Sequence, residues 1–144
     1  MTETNGKPRV LHTMVRVRDL DRSIAFYRDD LGMNVLRRLD FEDGRFTLVY
    51  LGYAGEESSA VVELTHNWDD SESYDLGNGY GHIAIGVEDL YAFCDQLEAR
   101  GIEMTRKPGP MKMDPLEIAF LEDPDGYKVE LIGMPSFRDA LARA

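Results

Sequence analysis

The 144-residue chain has one cysteine, Cys94, and so cannot carry an internal disulfide framework. Cys94 falls with Leu90, Phe93 and Leu97 on one helical face, which reads as a core thiol rather than a nucleophile. Basic residues are scarce, with 16 Lys and Arg against 27 Asp and Glu for a formal net charge of -11. A chain without a cationic footprint is a poor partner for nucleic acid or an anionic membrane surface. Any anionic ligand must be met by a few local cations. No apolar run approaches the length needed to cross a bilayer. The first residues also lack the basic-then-apolar layout of a secretory signal, so a reducing cytoplasm is expected. No low-complexity segment appears, and the only repeat is too long and too few in copy for a solenoid.

The chain does carry two copies of one pattern. Leu11-His12-Thr13 leads to Val17-Arg18-Asp19-Leu20, and Gly81-His82-Ile83 leads to Val87-Glu88-Asp89-Leu90, so both His12 to His82 and Asp19 to Asp89 are offset by 70. Val62-Glu63-Leu64 returns as Val129-Glu130-Leu131, an offset of 67. With 43% apolar and 10% aromatic residues, the chain suffices for one ordinary domain or two small half-domains.

Period and punctuation give the same element order twice. Val10 to Val17 alternates as a strand, with Leu11, Thr13, Val15 and Val17 on one face and His12, Met14 and Arg16 on the other. A helix capped by Asp21 carries Ile24, Tyr27 and Leu31 at helical spacing and closes at Gly32. Strands are expected over 35–39, 46–51 and 59–65. The second copy reads as a strand over 81–87, a helix over 90–100 ended by Gly101, then strands over 102–106, 118–122 and 127–132. The fold class is therefore α+β, two βαβββ modules at 10–66 and 80–132. The polar stretch 66–79 links them, between a mobile tail at 1–9 and a C-terminal tail at 133–144 with one or two amphipathic turns.

Each module contributes one strand-borne histidine and one strand-borne glutamate: His12 and Glu63, His82 and Glu130. Either histidine alone reads equally as a core residue bonded to a carbonyl. The glutamates change the balance, because an interior carboxylate costs several kcal/mol unless something positive sits beside it. Two imidazoles and two carboxylates make a neutral shell around a dication and leave an octahedral ion two positions for water or substrate oxygens. Structural zinc would prefer cysteines and a closed shell.

Arg16 and Asn67 lie on the faces of His12 and Glu63 and would border such a site, although a surface ion pair and a turn residue are their plain alternatives. Arg106, Lys107 and Lys112 form a basic cluster around Pro108, Gly109 and Pro110 that can grip a carboxylate or remain a solvated loop. Asp123-Pro124-Asp125-Gly126 lacks the length and closing glutamate of a calcium loop and reads as a tight turn.

Taken together, Leu11-His12-Thr13-Met14 with Arg16-Val17, Val62-Glu63-Leu64-Thr65 with Asn67-Trp68, Tyr80-Gly81-His82-Ile83-Ala84, and Glu122-Asp123-Pro124-Asp125-Gly126-Tyr127 with Glu130-Leu131 resemble the glyoxalase I (lactoylglutathione lyase) family of the vicinal oxygen chelate superfamily. The likeness runs from about Val10 to Ile132. It implies an eight-stranded incomplete barrel completed across a homodimer, with His12 and Glu63 of one chain facing His82 and Glu130 of the other. It implies metal ligation by His12, Glu63, His82 and Glu130, with Glu130 as the catalytic base and Glu63 as its counterpart for the opposite stereoisomer.

Arg16 and Asn67 match residues at the glutamyl end of glutathione, and Arg106 and Lys112 match those near its glycyl carboxylate. That basic pair favours glutathione over trypanothione. The compact length resembles the subgroup activated by Ni2+ or Co2+ rather than Zn2+. The implied reaction converts the hemithioacetal of methylglyoxal and glutathione to S-lactoylglutathione. Sister enzymes of the superfamily, such as thiol transferases, epimerases and ring-cleaving dioxygenases, replace or omit the ligand at Glu63. A drug-sequestering module of the same fold would lack the ligands altogether.

Overall fold

The computed structural model describes residues 6–70 and 72–144, so residues 1–5 of the expected tail and Ser71 of the expected linker lie outside the described residues. The chain forms two compact units, 1–75 and 76–144.

In the first unit, β1 (His12–Arg16) is followed by α1 (Leu20–Ala25), which runs on into one π-helical turn at Phe26–Asp30. Then come β2 (Asn34–Phe41), β3 (Phe46–Gly52) and β4 (Val61–Asn67), and the sheet order is β1-β4-β3-β2. The second unit repeats this with β5 (His82–Val87), α2 (Leu90–Ala99), β6 (Met104–Pro110), β7 (Glu117–Glu122) and β8 (Lys128–Gly133), in sheet order β5-β8-β7-β6. It ends in α3 (Met134–Arg143). In both sheets the first and last strands pair in parallel and the other pairings are antiparallel.

The helices start where the repeat places an aspartate. Asp19 accepts from the Arg22 amide at 3.2 Å, and Asp89 accepts from the Ala92 amide at 3.1 Å. The cap of α1 is thus Asp19 and not Asp21, because the carboxylate must precede the first turn to reach its free amides. Gly32 and Gly101 follow the helices at φ +79° and +86°, a left-handed conformation that side chains disfavour.

One face of each sheet is apolar and buried. Val15, Val17, Val49, Leu51, Val62 and Leu64 pack with Leu20, Ile24, Tyr27 and Leu31 in the first unit. In the second, Ile85, Ala119, Leu121, Val129 and Leu131 are buried with Leu90, Cys94 and Leu97 of α2, which packs on β6, β7 and β8. Each fully buried aliphatic side chain contributes about 1.5–3 kcal/mol, which fixes the strand register.

Three boundaries differ from the expected ones. β4 continues through His66 and Asn67, because their backbone pairs with Thr47 and Phe46, so these residues belong to the strand and not to a linker. The basic segment Arg106 to Pro110 is the far end of β6, bulged at two register shifts, and not a free loop. Residues 134–143 form a three-turn helix with Pro135 in its first turn, where a proline costs no hydrogen bond.

Candidate metal centre

The predicted donors come together in pairs, one pair per unit. In the first unit Met14 is the register partner of Glu63, and His12 lies two residues earlier on the same sheet face. His12 Nε2 stands 2.7 Å from Glu63 Oε2. In the second unit Ala84 partners Glu130 and His82 lies two residues earlier, with His82 Nε2 3.4 Å from Glu130 Oε1. The glutamates are the more enclosed members, at 11% and 14% side-chain exposure against 35% and 40% for the histidines. Among the described residues no three His, Cys, Asp or Glu side chains gather within a metal's reach, so each unit supplies two donors.

These pairs fit a shared divalent ion. Nitrogen and oxygen donors bound at about 2.1 Å stand roughly 3.0 Å apart at a right angle and roughly 3.4 Å apart at a tetrahedral angle. The observed separations of 2.7 and 3.4 Å match that span closely enough for side-chain rotation alone to admit an ion.

An aromatic ring flanks each pair. Tyr50 partners Glu63 across the antiparallel ladder and meets the His12 ring edge-on at 5.5 Å. Phe120 partners Glu130 and meets His82 edge-on at 5.2 Å. Burial, followed by the charge on Glu63, pushes the Tyr50 hydroxyl above the usual tyrosine range, so it remains a neutral donor. Arg37 stacks on Tyr50 with its Cζ 3.9 Å from the ring centroid, and Glu56 holds it at 2.6 and 3.0 Å. Tyr50 was not marked by the sequence reading, although its offset of 70 to Phe120 equals that of the histidines.

Arg16 pairs with Thr65, two positions from Asn67, so both stand on the face of the first donor pair. Tyr74 joins them. Its hydroxyl donates to Asp70 at 3.1 Å, near the Asn67 side chain and within range of the Arg16 charge.

Arg106 lies beside His82, both lining an open cavity of about 590 Å³ with Tyr80, Phe120 and Lys128. Its guanidinium donates to the carbonyls of Ile118 at 2.8 Å, Pro110 at 3.0 Å and Gly109 at 3.1 Å, which pins the bulged strand. Lys112 is exposed in the 111–116 connection and does not line this cavity.

The family model for the Glyoxalase/Bleomycin resistance protein/Dioxygenase superfamily matches residues 9–131. The chain belongs to that superfamily. Curated relatives include a probable lactoylglutathione lyase from Synechocystis sp., 57% identical over 90% of this chain and 98% of that protein. The lactoylglutathione lyase of Neisseria meningitidis is 53% identical over 93% of this chain and 96% of that protein. Among solved structures of the superfamily, the trypanothione-dependent glyoxalase I of Leishmania major superposes with TM-score 0.85 at 42% identity, covering 95% of this chain and 94% of that one. Glyoxalase I of Zea mays superposes with TM-score 0.82 at 44% identity over 86% of this chain and 44% of that one.

Proposed function

We propose that this chain is a lactoylglutathione lyase, converting the hemithioacetal of methylglyoxal and glutathione to S-lactoylglutathione and so detoxifying methylglyoxal in the cytoplasm. The observation that carries the reading is the twofold repetition of a His-Glu pair in identical register, in a chain more than half identical to proteins of that name. Sister reactions of the superfamily lose ground because Glu63 is present, enclosed, and in contact with His12.

Four donors require two half-sites. In this proposal His12 and Glu63 of one copy and His82 and Glu130 of a second copy hold one Ni2+ or Co2+ in a homodimer. Exposed apolar residues on the sheet face that bears the first pair, Leu39 at 37% and Phe41 at 40%, suit a covered assembly better than open water. When bound, the cation supplies Lewis-acid polarisation of the substrate oxygens.

The chain's own residues do the rest. The Glu130 carboxylate takes the proton from the carbon bearing sulfur and hydroxyl and returns a proton to the neighbouring carbon, so the reaction is an isomerisation with no net gain or loss. Glu63 occupies the pseudo-equivalent place for the opposite stereoisomer. Arg16 and Asn67 receive the glutamyl end of glutathione, with Tyr74 beside them. Lys112 and the remaining donors of Arg106 attract the glycyl carboxylate, and the charge-assisted hydrogen bonds orient the thiol adduct.

The test removes metal with a chelator, adds Ni2+, Co2+ or Zn2+ separately, and follows thioester formation from methylglyoxal with glutathione and, in parallel, trypanothione. Activity with glutathione and Ni2+ or Co2+ is expected. Absence of thioester with all three metals and both thiols would overturn the assignment.

A further inference from the structure

The two units differ on the helix side of their sheets. In the first, an open cavity of about 710 Å³ lies between the start of α1 and strands β2, β3 and β4, lined among others by Arg18, Arg22, Arg38, Thr47, His66 and Trp68. His66 shares its sheet face with the buried Leu64, so the cavity is on the opposite side of the sheet from the His12–Glu63 pair.

The second unit fills the equivalent place with α3. Leu90, Glu117 and Gly133 stand there where Leu20, Thr47 and His66 stand in the first unit. The Ser136 hydroxyl accepts from the Glu117 amide at 3.0 Å and donates to the Gly133 carbonyl at 2.7 Å, and Arg138 pairs with Glu88, the counterpart of Arg18. A Cβ at Gly133 would meet Leu90, Glu117 and Ser136 at 3.6 Å each, which leaves no room for an imidazole. Among the described residues no helix follows β4 in the first unit.

The lining changes with the cover. Arg18 and Arg22 correspond, at the offset of 70, to Glu88 and Ala92. Three arginines against Asp19 and Asp21 reverse the balance of a chain with 16 basic and 27 acidic residues. Asp19 is turned to the Arg22 amide, whereas the Arg22 guanidinium has no partner among the described residues. Arg38 is held only by an exposed pair with Asp40 at 3.5 Å, which constrains it little.

The floor of the cavity is fixed. Trp68 Nε1 donates to Thr47 Oγ1 at 2.8 Å, and the Thr47 hydroxyl donates to Asp40 at 2.7 Å. His66 Nδ1 stands 3.0 Å from the Val17 carbonyl oxygen. A carbonyl only accepts, so Nδ1 carries the ring proton and Nε2 remains an acceptor.

We propose that this cavity binds a phosphate monoester. Arg18, Arg22 and Arg38 take the phosphoryl oxygens, because guanidinium donors match them in pairs. His66 Nε2 accepts from a phosphoryl hydroxyl, and the organic group lies against Trp68 and Leu20. The volume is that of a small-molecule site and exceeds what a bare phosphoryl group fills.

Trp68 is the one tryptophan of the chain, so its fluorescence reports on the cavity directly. The test titrates the full chain, metal-loaded and after chelation, with inorganic phosphate, phenyl phosphate and sulfate at constant ionic strength. A saturable change is expected with inorganic phosphate, tighter with phenyl phosphate and weaker with sulfate, which has no hydroxyl to donate at neutral pH. The Kd is expected to be the same with and without metal. Arg22→Gln and Arg38→Gln are each expected to raise it about tenfold, with thermal unfolding unchanged.

No saturable change with either phosphate would overturn the proposal, as would sulfate binding as tightly as phosphate or wild-type affinity in either arginine variant. A response confined to the metal-loaded form would place the anion on the cation and overturn it equally, while leaving the lyase reading intact.

Discussion

Replacing Glu130 by glutamine separates chemistry from folding. The side chain keeps its shape and one carbonyl oxygen but loses the ability to accept a proton, and a positioned carboxylate base supplies about 10²–10⁴-fold in rate. That corresponds to roughly 2.7–5.5 kcal/mol of barrier. The effect on folding is much smaller. His82, its partner at 3.4 Å, is 40% exposed, and half-exposed ion pairs contribute about 0–1 kcal/mol. For 144 residues an unfolding entropy of about 2.1 cal/mol/K per residue makes 1 kcal/mol equal to roughly 3 °C in Tm. The assay is thioester formation by Co2+-loaded protein, with metal content and thermal unfolding measured on the same preparation. At least a hundredfold loss of kcat is expected, with Tm within a few degrees of wild type. Near wild-type turnover with the metal in place would refute the base assignment. A Tm lowered by tens of degrees would refute the claim that the side chain acts in chemistry rather than in folding.

Three further outcomes follow from the surroundings of particular side chains. Burial pushes the Cys94 thiol from 9.0 up to about 11, so its contribution to stability is complete below the lower value and is lost as pH rises through the upper one. Urea denaturation across that window should show a loss on the order of 2 kcal/mol that is absent in Cys94→Ala, and identical pH profiles would contradict it. Asp123, 5% exposed, accepts from the Asp125 and Tyr127 amides at 2.9 Å each, so Asp123→Ala should cost about 2–3 kcal/mol in equilibrium unfolding. Asp89→Ala removes the cap of α2 and should cost about 1 kcal/mol by the same measurement, whereas Asp21→Ala should change stability little.

Much of the fold was legible because two periodicities and one repeat agreed. Val15 and Val17, or Val62 and Leu64, had to lie on the helix side, which left His12 and Glu63 on the other face. The repeated Val-x-Asp-Leu is itself the helix cap and shows in the sequence as an offset of 70, a signal that Asp21, which has no counterpart in that repeat, does not carry. Proline and glycine at 108–110 suggested a loop, but strand pairing by Gly109 and Pro110 with the Arg106 staple overrides local propensity there. Tyr50 stayed hidden because a tyrosine among apolar strand residues looks like core until its cross-strand partner is known. Pairing between strands, unlike period within one, is not written locally.

The parallel pairing of β1 with β4 joins the first strand of a unit to its last, about fifty residues later in the chain, so neither donor meets its partner until the whole unit has been synthesised. During translation the first unit can therefore close while the second is still emerging from the ribosome, and the nascent chain assembles its two His-Glu pairs in two discrete stages. A truncation that removes β4 alone leaves His12 in place and abolishes its pair. A messenger cut short anywhere before that strand yields a polypeptide without this His-Glu pair.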